Sequence, residues 1–61
     1  MPERLGPLQE RVLYYVDAHS GCTLAQVTRA LGHTDTAVRF ALLALMRLER
    51  LYRQGRRYYA W

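Results

Sequence analysis

The chemistry this chain has to offer is that of arginine. All nine basic side chains are arginine, against five carboxylates, for a formal net charge of +4 and a pI of about 9.8. A guanidinium is a rigid planar fork that grips phosphate, carboxylate or guanine through paired hydrogen bonds, whereas an ammonium acts as a point charge. Arg47, Arg50, Arg53, Arg56 and Arg57 crowd into one short segment against the single acid Glu49, while the first 20 residues balance Arg4 and Arg11 against Glu3, Glu10 and Asp17. A basic end on a neutral body points to a polyanion met from one side. The plainer alternative is a solubilising surface.

Other chemistry has little to work with. His19, Cys22 and His33 are the soft metal ligands, and they lack the paired spacing of a zinc site. The carboxylates are dispersed and no glycine-rich phosphate loop is present. We therefore expect no catalysis, no metal and no cofactor, and no small-molecule effector is evident. Cys22 sits beside a helix N-terminus, where a thiol pKa can fall, but it reads better as an inward-pointing small hydrophobe. A lone cysteine excludes an internal disulfide and fits a reducing compartment. No apolar run approaches the ~18 residues of a membrane span, and MPERLGPLQER shows no secretory signal. The expectation is a soluble, cytoplasmic protein with no membrane partner, nucleoid-associated if it binds DNA.

The elements that must position the arginines centre on TLAQVTRALGHTDTAVRFALLALMRL, residues 23–48. Leu24, Val27, Thr28 and Leu31 share a helical face, and Gln26 follows Thr23 at capping-box spacing. Gly32 suits the left-handed stop of that helix, after which Thr34 and Asp35 open another. Val38, Ala41, Leu42, Leu45 and Leu48 recur at helical spacing along it. Helix, short turn with glycine, helix is a helix-turn-helix pattern. Upstream, Pro7 starts a first helix with Leu8, Val12, Leu13, Tyr15 and Val16 inward and Tyr14 and Asp17 in water, and Ser20-Gly21 stops it. Residues 1–5 are expected to be irregular, with Leu5 tucked against the body.

After the third helix the aromatics favour strands: Leu51-Tyr52-Arg53 and Arg57-Tyr58-Tyr59-Ala60-Trp61, with Gln54-Gly55 as the turn. Leu51 and one of Tyr58 and Tyr59 should face inward, with Trp61 open to either side. An isolated hairpin is unstable, so the residues around Cys22 are expected to add a third strand. The fold class is mainly α with a small β-hairpin (α+β), in one domain over 1–61. Its helices run over about 7–19, 24–31 and 35–49, and its hairpin over about 51–61.

This order resembles the winged helix-turn-helix family of DNA-binding regulators over residues 8–61. The parts that carry the resemblance are RVLYYV, CTLAQVTRALG, TAVRFALLALMRL and LYRQGRRYYAW. The resemblance implies a third helix that enters the major groove and a hairpin wing that touches phosphate or the minor groove. It also implies sequence-directed binding of double-stranded DNA, in transcriptional or mobile-element regulation. Carried over residue by residue, the outward face of the third helix presents Thr36, Arg39, Phe40, Leu43 and Arg47, with Arg39 placed to read a guanine edge. Thr34 and Thr36 suit a phosphate at a helix N-terminus, and Arg29 a backbone oxygen. Arg53, Arg56 and Arg57 become the wing contacts. The family often closes its third helix with a glycine. Glu49-Arg50 stands there instead, which implies either a longer helix or a different turn.

Two further readings stay open. Phe40, Leu43 and Met46 are left over once Val38, Leu42, Leu45 and Leu48 fill the core, and an exposed apolar stripe is a protein-interaction or dimerisation signal. So small a core also gains from a partner, which favours a homodimer or a larger protein assembly. Outward aromatics among Tyr52, Tyr58, Tyr59 and Trp61 would suit stacking of single-stranded nucleic acid or RNA. Arg39 itself stands four residues from Asp35, an ion-pair spacing.

Overall fold

The computed structural model describes residues 4–61, so the expectation of an irregular start lies outside the described residues for positions 1–3. α1 (Pro7–Ala18) opens at its proline, whose missing N–H is no loss in the first turn. The Gly6 N–H donates to the Gln9 side chain at 3.1 Å, closing that end. Val12 and Val16, one turn apart, are fully buried, and Leu8, Leu13 and Tyr15 widen the stripe beside them. The helix ends within a residue of expectation, with His19 as its cap and the His19 ring lying on Tyr15 at 4.5 Å between centroids. Gly21 acts differently from the expected helix stop. Its φ of +90° lets its N–H donate to the Tyr58 carbonyl at 2.8 Å, which steers the chain into the sheet.

β1 (Cys22–Thr23) runs straight into α2 (Leu24–Leu31) through a capping box. The Thr23 N–H donates to Gln26 Oε1 at 2.8 Å, and the Gln26 N–H donates to Thr23 Oγ1 at 3.3 Å. Gly32 takes a left-handed φ of +68° and its N–H donates to the Thr28 carbonyl at 3.0 Å, ending α2. The Thr34 hydroxyl then accepts from the Ala37 N–H at 3.2 Å and starts α3 (Asp35–Arg47). The two helices and the turn between them lie where the sequence predicts.

The end of α3 departs from expectation. The helix stops at Arg47 rather than at 49, because Glu49 adopts φ +58° and the chain closes in a Schellman motif. In it the Glu49 N–H donates to the Met46 carbonyl at 3.0 Å and the Arg50 N–H to the Leu45 carbonyl at 2.9 Å. A left-handed conformation costs a side-chain-bearing residue roughly 1 kcal/mol, so the turn that glycine would make freely is made here under strain. Leu48, the cap, is rotated out of the core to 37% exposure, which corrects its expected burial.

β2 (Leu51–Gln54) and β3 (Arg57–Ala60) form the antiparallel hairpin, and β1 pairs with the other edge of β3, giving the order β1–β3–β2. Leu51 stands opposite Ala60, Tyr52 opposite Tyr59, and Cys22 opposite Tyr58. Strand alternation then sends Leu51 and Tyr58 into the core and Tyr52 and Tyr59 out. Trp61 is also out, 78% exposed.

Over the described residues the architecture is α+β: three helices and a three-stranded antiparallel sheet around one core. Leu42, Leu45, Leu51, Val12, Val16, Val27 and Val38 are fully buried, each burial favouring folding by ~1.5–3 kcal/mol before entropy is counted. Met46 is half-buried against this cluster rather than fully outward. Thr28 carries one flaw, a buried hydroxyl oxygen with no hydrogen-bond partner. Among the described residues no helix is long and apolar enough to cross a membrane.

Candidate nucleic-acid interface

Two elements far apart in sequence wall one groove. α3 contributes Asp35, Arg39, Leu43 and Met46, and the hairpin contributes Arg53, Arg56 and Tyr58, around a space of about 790 Å³. The floor at one end is the start of α2, with Thr23, Leu24 and Ala25. β1 puts it there. By pairing with β3, this two-residue strand brings the first turn of α2 beside the hairpin. Helix N-termini expose backbone N–H groups and the positive end of the helix dipole, so this floor favours an anion. The guanidinium groups of Arg39, Arg53 and Arg56 make no hydrogen bond or ion pair with any of the described residues, so the expected alternative of an Asp35–Arg39 pair is not formed. Three arginines against one carboxylate leave the groove positive.

The remaining sequence-predicted residues are distributed around that groove. At 100° per residue, Thr36, Phe40, Leu43 and Arg47 make the stripe of α3 that points directly away from Val38, Ala41 and Leu45. All four are exposed, Phe40 to 67% and Leu43 to 41%. Arg39 lies on the flank of that stripe, turned toward the hairpin. Thr34 spends its hydroxyl on capping α3, so its side chain is already engaged. Arg29 is exposed in the last turn of α2, away from the groove. Arg57 leaves the expected set of free hairpin contacts: its Nη1 donates to the Gly21 carbonyl at 2.8 Å, and it sits on the opposite face of the sheet from Arg53.

Thr23, Leu24 and Ala25 line the groove although the sequence does not single them out as site residues, and Met46, which the sequence assigns to an outward apolar stripe, lines it as well. The signal that places the first three is a strand pairing between positions distant in sequence, Cys22 with Tyr58 being 36 residues apart and Thr23 with Arg57 being 34. Met46 is one turn beyond Leu42 on the edge of the core stripe, packed against the core and open to the groove.

Behind the groove, Cys22 is 3% exposed, and burial pushes its thiol above the ordinary value, against a smaller opposite pull from a backbone hydrogen bond. Burial that favours the thiol over the thiolate is the environment of a core side chain. Among the described residues no group of three or more His, Cys, Asp or Glu side chains is arranged to hold a metal ion. No protein-family model, no curated protein and no solved structure matches the chain.

Proposed function

We propose that this chain is a winged helix-turn-helix domain that binds double-stranded DNA in transcriptional or mobile-element regulation, with a homodimer as the binding unit. In this reading α3 enters the major groove, the β2–β3 hairpin is the wing, and the first turn of α2 meets a phosphate. One observation carries it. Arg39, Arg53 and Arg56 converge from a helix and a hairpin on a single groove and are not consumed by contacts with the other described residues. A protein surface leaves guanidinium groups clustered and unpaired at a cost in mutual repulsion, which an anionic ligand removes.

Fluorescence anisotropy with random-sequence duplex, over a series of salt concentrations, tests the proposal. Contacts to ~3–5 phosphates per subunit give a log–log slope near −3 to −4.5. Weak binding with a flat slope would falsify the reading. Sedimentation of the free and bound protein tests the dimer separately.

The exposure of Phe40 favours a second reading, a protein-interaction face on the outer stripe of α3. Phe40→Asp decides between them. A change in oligomeric state or partner capture with DNA affinity untouched supports the protein interface, and loss of DNA affinity in an unchanged oligomer supports the first reading.

A further inference from the structure

The outward stripe of α3 is short of the groups that read bases by hydrogen bonding. Between Thr36 and Arg47 it presents only Phe40 and Leu43, and nowhere on it is there an Asn, Gln, Asp or Glu. Paired recognition of adenine uses an amide side chain, and recognition of cytosine N4 uses a carboxylate, so neither is available to this stripe. The apolar feature that base edges offer in the major groove is the C5 methyl of thymine.

Resting on the DNA-binding reading above, we infer that Phe40 and Leu43 are specificity-determining residues that read thymine methyl groups, between a guanine contacted by Arg39 and a phosphate or second guanine contacted by Arg47. The spacing suits a duplex. Thr36 to Arg47 spans about 16 Å of helix axis, on the order of five base-pair steps. The charge pattern suits it as well. The apolar pair is bracketed by Arg39 on its flank and Arg47 at its end, with Arg53 and Arg56 across the groove, so an occupant of this face meets an apolar centre within a cationic frame. A thymine-bearing major groove walled by phosphates has that complementary form. Burying Phe40 and Leu43 against methyl groups removes from water two large side chains that the free protein leaves wet.

The test begins with selection of tightly bound duplexes from a random-sequence pool by the full chain. The winners are then resynthesised with deoxyuridine for thymine, which deletes the methyl groups and leaves pairing and charge unchanged. Wild-type protein is expected to bind the uracil duplex about fourfold more weakly for each methyl contacted, with the salt slope intact. Phe40→Ala and Leu43→Ala, both at exposed positions and checked for native circular dichroism, are expected to shrink that discrimination while keeping the slope. Equal binding of thymine and uracil duplexes with a steep slope overturns the methyl inference and leaves the DNA-binding reading standing, as do selected sites without thymine or discrimination that survives both substitutions. Absence of salt-dependent binding to any duplex overturns both.

Discussion

On the hairpin face turned toward α3, Leu51 and Tyr58 are buried and Arg53 opens onto the groove. On the opposite face Tyr52 stacks on Tyr59 at 5.3 Å and tilts against Trp61 at 4.5 Å, while Arg57 is held by the Gly21 carbonyl. The same residue types, arginine and tyrosine, therefore do opposite things on the two faces. Adjacent Tyr58 and Tyr59 part company, one into the core and one into a solvent-facing aromatic row. Neighbouring Arg56 and Arg57 part likewise, one unpaired and one tethered. Composition alone would count three hairpin arginines as equivalent. Strand alternation and a distant carbonyl separate them.

That contrast can be broken or sharpened in steps, beginning with the tyrosines. Tyr58→Ala empties a buried site and should cost ~3 kcal/mol or more in urea unfolding, whereas Tyr59→Ala should cost ~1 kcal/mol, since it removes a half-exposed cross-strand partner. Equal losses would mean that the two faces are energetically alike. The arginines come next. Joint Arg53→Ala and Arg56→Ala substitution should weaken duplex binding about tenfold and flatten the salt slope by ~2, while Arg57→Ala should leave the slope near its wild-type value. A comparable flattening in both would return Arg57 to the interface.

A smaller effect is expected where α3 hands over to the hairpin. Glu49→Gly relieves the left-handed strain and should raise stability by ~1 kcal/mol, read as a shift in the denaturation midpoint at constant slope. The smallest effect concerns Cys22, paired with Tyr58 behind the inner face. Its folded-state pKa is raised, so the folded form keeps a proton that the unfolded chain sheds above its ordinary value near 9.0. The stability this contributes is present below that pH and declines as pH rises through it. Wild type should therefore lose slightly more stability than Cys22→Ala between neutral pH and pH values above 9.0.

Much of this arrangement is legible in the residues themselves, because the signals that specify it are local. The Thr23–Gln26 capping box, the Gly32 stop, the Thr34 cap and the Val38–Leu42–Leu45 stripe each depend on neighbours within a turn or two, and the structure places all of them as read. Inward Leu51, inward Cys22 and the third strand were also accessible, from alternation and from the instability of a lone hairpin. What escaped has other causes. Glu49-Arg50 stands where a helix-closing glycine is often found, which leaves a longer helix and a different turn both open. The structure has the different turn, and a Glu side chain gives no local sign of a left-handed residue, so α3 is shorter and Leu48 more exposed than the periodicity alone implies. The tether on Arg57 spans 36 residues and ends on a backbone carbonyl, which no pattern in side-chain types can reveal. The contribution of the α2 N-terminus to the groove depends on which hairpin strand β1 pairs with and in what register, which the expectation of a third strand leaves unspecified.

The sealed position of Cys22 has a practical consequence. A thiol reagent gains access to it when β1 parts from β3, so the labelling rate counts openings of the sheet from the inside. The chain thus carries its own chemical clock. A ligand that engages the closed form alone will slow that clock by one plus the ratio of its concentration to its Kd, so binding can be timed with no dye on either molecule.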